Sequence, residues 1–141
     1  MIQLGHMATG ILASRHVSSP VAAALSGVVM HGMMDVAPHG EINDRGWEVA
    51  SVALAVPILA MAWGWRSPVV WGAIGGVLPD AEHLLPAKVR DRGPLFPTHR
   101  IDALHSSDTR LAIPAWAQVA LGGAVIGWFT ARGWRRRSRG A

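Results

Sequence analysis

The stretch Leu111-Ala-Ile-Pro-Ala-Trp-Ala-Gln-Val-Ala-Leu-Gly-Gly-Ala-Val-Ile-Gly-Trp-Phe-Thr130 runs for twenty residues without a charge. A bilayer core about 30 Å thick needs roughly 20 helical residues to cross it, and this run has that length. Five of the chain's thirteen basic residues follow directly: Arg132, Arg135, Arg136, Arg137 and Arg139. Arginines placed at the end of an apolar helix mark the cytoplasmic side of a membrane. The expectation is a membrane helix whose C-terminal end faces the cytoplasm.

Four further apolar runs precede it: Ile2–Ser14, Val21–Val36, Val49–Trp65 and Val69–Leu78. The second and third are at the short end for a span, and the first is too short to cross alone. Breaks fall at Arg15–Pro20, at Pro38, at Arg66–Pro68 and at Pro79. The residue before a proline is disfavoured in the helical region. Ala, Gly, Val and Ser are frequent in these runs, and small residues let membrane helices approach closely. The predicted fold is all-α, an integral membrane helical bundle of about four to five helices. One membrane domain covers residues 1–131, with polar loops at 38–48 and 80–110. Residues 132–141 form a basic cytoplasmic tail.

Laying the runs antiparallel sorts the polar residues. All nine acids fall at the end away from the arginine tail: Asp35, Glu41, Asp44, Glu48, Asp80, Glu82, Asp91, Asp102 and Asp108. Six of the seven histidines fall there too, His16 excepted. Trp63, Trp65, Trp71, Trp128 and Trp134 lie near the opposite boundary, as in an interfacial aromatic belt. The expected arrangement is a multi-pass membrane protein with the C-terminus cytoplasmic.

The 141 residues suffice for one domain. With no cysteine, disulfides and thiolate metal sites are excluded. A net charge of +4 would suit nucleic acid if it formed a binding face. Its concentration in the tail argues against that partner and for the bilayer. No cleaved signal is expected, because the first basic residue, Arg15, follows the apolar run.

Four segments deliver candidate chemistry to one end. His31 and Asp35 are four apart and share a helix face; His39 and Glu41 lie just beyond Pro38. Asp80 and His83 are three apart, with Glu82 between them. His99, Arg100 and His105 occupy the following loop. His6 stands alone in the first run. Neutral imidazole and carboxylate suit a divalent metal, zinc or manganese. Each segment by itself also reads as a polar helix end or loop; their convergence points to a site.

These residues resemble the YdjM-like family of bacterial inner-membrane proteins, predicted to be membrane-bound metal-dependent hydrolases. Leu78-Pro79-Asp80-Ala-Glu82-His83 is similar to the family's Pro-Asp-x-Asp-His element, with Glu82 where aspartate is usual. His99-Arg100-Ile-Asp-Ala-Leu-His105-Ser106 is similar to its His-Arg-x-x-Thr-His-Ser element, one residue longer. His6 matches an early histidine. His31 and Asp35 match a His-x-x-x-Asp pair, which stands earlier here than in the family. A more distant similarity is to helical zinc-dependent phospholipase C enzymes, which would suggest a phosphoester.

The resemblance implies a divalent metal, zinc or manganese, and hydrolysis. His6, His31, Asp35, Asp80, His83, His99 and His105 are the expected ligands, with His39 in reserve. Glu82 or Glu41 is the expected base, and Arg100 would hold an anionic group, so an anionic or lipid substrate is expected. The rival readings are a non-catalytic metal-binding or transport protein, and a small membrane adaptor without metal.

Overall fold

The computed structural model describes residues 2–140 except 41, 43, 87, 88, 90–92, 94 and 101–111, and for 97 and 98 the backbone. Every helix and strand assigned among them is a helix. In chain order these are α1 (Gln3–Ser14), α2 (Pro20–Asp35), α3 (Arg45–Trp63), α4 (Pro68–Val77), a 3-10 helix (Pro79–Leu84), the short α5 (Pro97–Arg100) and α6 (Ala115–Gly140).

Local chemistry explains where they start. The Ser19 hydroxyl accepts from Ala22 N, Asp44 accepts from Trp47 N, and Ser67 accepts from Val69 N. Each cap satisfies one of the amides that a helix N-terminus leaves without a partner. Pro20 and Pro68 occupy first-turn positions, where a missing N–H costs nothing. Gly64, at φ 85°, ends α3. It takes the left-handed conformation that glycine adopts without strain.

α1 lies at the centre, burying Gly5, His6, Met7, Ala8, Gly10, Ile11 and Ser14. α4 packs against α1 and α2 at the distance of backbone contact. A Cβ placed on Gly76 would come within 2.2 Å of the His6 carbonyl oxygen, and one on Gly72 within 2.6 Å of the Gly10 carbonyl oxygen. Such spacing is possible only between small residues. Met7, Ile11, Leu59, Val70, Ile126 and Phe129 are prominent in the core that joins α1, α3, α4 and α6.

The helices thus correspond to the apolar runs, with two differences. Residues 112–114 of the last run are not helical, and its helix starts at Ala115, just after Pro114. Its helix then includes the buried Gln118 and the arginines, and it fails the length-and-composition test for a span. Among the described residues α3 is the one helix that passes. The basic tail, in turn, is no separate segment, since α6 continues to Gly140. Arg132 stacks over Trp128 at 5.3 Å and Arg136 over Trp63 at 5.2 Å.

α2 sorts its faces in an unusual sense. Ala23, Gly27, His31 and Asp35, each four apart, are buried. Val21, Leu25, Val29 and Met33, also four apart, are exposed. The large apolar side chains therefore face outward and the small and polar ones inward.

Candidate metal centre

His31 leaves the last turn of α2 and reaches the end of α4. Its Nδ1–H donates to the Gly76 carbonyl at 2.7 Å. That bond points Nε2 into the cluster. Nε2 faces Asp35 Oδ2 at 3.2 Å and Asp80 Oδ1 at 3.6 Å. His31 Nε2 is buried and makes no hydrogen bond, and an unpaired buried polar group is costly. A cation between Nε2 and the facing carboxylates would satisfy it.

Other side chains converge on the same point. His6, from α1, stacks on His31 with ring centroids 3.8 Å apart. Its Nε2 lies 3.4 Å from Asp35 Oδ1 and 4.0 Å from Asp80 Oδ2. His99, from α5, brings Nε2 to 3.5 Å from Asp35 Oδ2 and 3.3 Å from Asp80 Oδ1. His83 stacks near His99, ring centroids 5.0 Å apart, and its Nε2 is 3.9 Å from Asp80 Oδ1.

Metal–nitrogen bonds of about 2.0–2.1 Å put neighbouring ligand atoms roughly 3–4 Å apart, in keeping with these separations. Three groups among the described residues are geometrically able to hold a metal ion: His6, His31 and Asp80; His31, Asp35 and His99; Asp80, His83 and His99. Within each, the ligand atoms lie inside 4.8 Å of one another.

Six of the seven expected ligands therefore come together. His105, like Glu41, lies outside the described residues. His39 is in none of these groups; its Nδ1 donates to the Ala37 carbonyl at 2.6 Å, and its backbone bridges Ile113. Arg100 is exposed on α5, and no described contact ties it to the cluster.

Glu82 has a different place from the one expected of a base. Its Oε1 lies 2.5 Å from His99 Nδ1, and its Oε2 accepts from the Leu95 and Phe96 amides. Both oxygens are engaged, so the carboxylate orients the His99 ring. Histidine ligands commonly donate their second N–H to such a carboxylate, which fixes the tautomer.

The electrostatics match. Burial acts to raise the Asp80 carboxyl, but the His99 hydrogen bond and the nearby His31 and His6 rings outweigh it and hold it below its usual range. Burial also opposes Glu82 ionisation, and is outweighed by His99 and the two amides. His99 is pushed up to about 10, chiefly by hydrogen bonds to Asp35 and Asp80 and, against the cost of burial, by Glu82. Without metal the carboxylates hold a proton where positive charge is wanted.

Sequence reasoning missed Gln3, which donates from Nε2 to Asp80 Oδ2 at 2.7 Å. Its own amide donates to Glu48 Oε2 at 2.9 Å, tying α1 to α3. One signal existed: Gln3 and His6 are three apart and share a helix face. Gln118 was missed as well. It accepts from Ile2 N and donates to the Gly40 and Ile113 carbonyls, closing the loops over this end. The Gly76 carbonyl left no side-chain signal at all.

Compared with known protein families, curated proteins and solved structures, the chain matches none. The class rests on the fold and the site: an all-helical protein with a buried His/Asp cluster able to hold a metal ion.

Proposed function

We propose that the chain is a membrane-embedded hydrolase with a divalent-metal centre at one membrane face. The observation that carries the metal is the convergence of His6, His31, Asp35, Asp80 and His99 in overlapping groups whose ligand atoms lie within 4.8 Å of one another. Zinc fits the donor set best, since three imidazoles and two carboxylates at this spacing suit a borderline ion, and manganese is the alternative. The metal's ligands are drawn from His6, His31 and Asp80 or from His31, Asp35 and His99, the two groups that share His31.

Hydrolysis is supported by the open side of the cluster. Asp80 and His99 side chains are 14% and 6% exposed, and His31 is fully buried, whereas His83 is 52% exposed. Catalytic metal sites keep an open position, and structural ones are closed. The family resemblance points the same way. A divalent ion there would polarise a carbonyl or phosphoryl oxygen and make a bound water more acidic.

The remaining work falls to the chain. His83 Nε2, at the open edge, accepts the proton that the attacking water loses and returns it to the leaving oxygen. Glu82 holds His99, and Gln3 holds Asp80. Arg100, exposed on the same short segment as His99, draws an anionic substrate toward this face.

The membrane setting is supported by α3, long and apolar enough to cross. It is also supported by the outward Val21, Leu25, Val29 and Met33 stripe of α2. A soluble helix turns such a stripe inward. The arginines of α6 and their stacked tryptophans suit the cytoplasmic interface, and the setting we propose is the inner membrane, multi-pass, with the C-terminus inside. The test is metal analysis of the full chain purified in detergent, followed by assays on phosphoesters, lipids and amides with zinc or manganese. Bound metal together with turnover is the expected result. Stoichiometric metal without turnover on any of them would instead favour a structural or transport centre. Absence of metal would leave the adaptor reading.

A further inference from the structure

The cluster has an exposed edge, and that edge opens into a groove. A cavity of about 640 Å³ runs between α3 and the end of α4. Val49, Val52 and Ala53 form one wall, and Ile74, Val77 and Leu78 the other. At its polar end stand Asp80, His83 and Gln3. His83 is the one side chain of the cluster more than half exposed among the described residues, and it lines this groove. A substrate approaching the metal past His83 therefore leaves the rest of itself between apolar walls.

The charged rim and the size define the occupant. On the rim, Asp44 is engaged as the α3 cap and Glu48 with the Gln3 amide. Arg45 lines the same rim and brings positive charge to an anionic head. The size is that of a small-molecule pocket, which typically spans about 300–1,000 Å³.

We propose that this groove is the substrate channel for a single-chain amphiphile. Its anionic ester head meets the metal beside Asp80 and His83, and its alkyl chain lies between α3 and α4. The inference rests on the hydrolytic reading for what happens to the head group, but chain binding itself does not need turnover. On hydrolysis, water adds across the ester bond. The acid half keeps the water oxygen, and the alcohol half leaves with the proton.

The test uses the full chain, zinc-loaded and held in amphipol, with dodecyl phosphate carrying a terminal diazirine as the probe. Photolabel should fall on residues 49–53 and 74–78. Unlabelled butyl, hexyl and octyl phosphate should suppress it with increasing strength, by up to roughly fourfold per methylene. Ala53→Trp fills the groove without touching the cluster and should abolish the label at unchanged metal content. Ala53→Leu should reduce it partly, and serves if the tryptophan variant does not fold. Label spread over the outer faces of α2 and α6 that no competitor suppresses would overturn the proposal. So would competition independent of chain length. Groove labelling as expected with no ester turned over would remove the hydrolytic reading and leave the groove. Turnover of long-chain esters unaltered in Ala53→Trp would remove the groove and leave the hydrolase.

Discussion

His31 Nε2 and Asp35 Oδ2 lie 3.2 Å apart, both buried, and His99 Nε2 lies 3.5 Å from the same carboxylate oxygen. His31 and Asp35 sit one turn apart on α2, which holds them on the same face. Removing either one should take away a metal ligand while leaving the helix packing in place. Asp35→Ala and His31→Ala are therefore expected to lose metal without losing the fold. Metal analysis beside circular dichroism reads both. Full metal content in both variants would remove the proposed centre.

Glu82→Gln separates two roles. As the partner of His99 Nδ1, Glu82 should support metal affinity, and losing the carboxylate that orients a histidine ligand typically costs about 10–100-fold. As a general base it would instead leave metal bound and slow turnover by roughly 10²–10⁴-fold. The geometry predicts the first, with turnover recovering at high metal. Chelator competition makes the measurement, and unchanged affinity with lost turnover would restore Glu82 as the base.

Metal uptake should depend on pH through His99. Its folded pKa is pushed up to about 10, so near neutrality the metal-free ring carries a proton. Binding through Nε2 requires that proton to leave. Apparent affinity should thus rise with pH, approaching tenfold per pH unit for one proton displaced, and level off near about 10. Calorimetry in buffers of different ionisation enthalpy counts the protons. Zero net release at neutral pH would contradict this picture of the metal-free site.

Gly76→Ala places a Cβ 2.2 Å from the His6 carbonyl oxygen. α1 and α4 must then separate, at a cost of about 1–3 kcal/mol typical of overpacking. The same shift moves His6 relative to the carbonyl that holds His31, so metal affinity should fall too. Gly123 meets nothing within 4 Å, and Gly123→Ala should be neutral or stabilising by up to about 1 kcal/mol. Thermal unfolding of the two variants checks the contrast. Equal stabilities would mean that the helix contact is softer than described.

For the proposed orientation, a reporter joined after Ala141 should be active in its cytoplasmic form. An active periplasmic reporter there would invert the topology and leave the metal centre untouched.

Much of this arrangement is legible along the chain. Apolar runs bounded by Ser19-Pro20, Pro38, Ser67-Pro68 and Pro79 predict α1 to α4, because caps and prolines act within a turn. Antiparallel alternation of the runs then carries His6, His31, Asp35, Asp80, His83 and His99 to one end. Side-chain roles within that end are another matter. Glu82 looks like a base in sequence because its neighbours are ligands. It becomes a partner of His99 only when α5, fifteen or more residues on, packs against the 3-10 helix. Gln3 is unremarkable until Asp80, distant in sequence, meets its amide. The Gly76 carbonyl enters because glycines let α2 and α4 touch backbone to backbone. The run from Leu111 was judged by length alone, whereas the helix begins at Ala115 and turns Gln118 inward to hold Ile2, Gly40 and Ile113. Helix boundaries follow from forces acting over a few residues, so the sequence determines them. Hydrogen-bond partners across the bundle depend on how closely whole helices approach, and only the packed structure decides that distance.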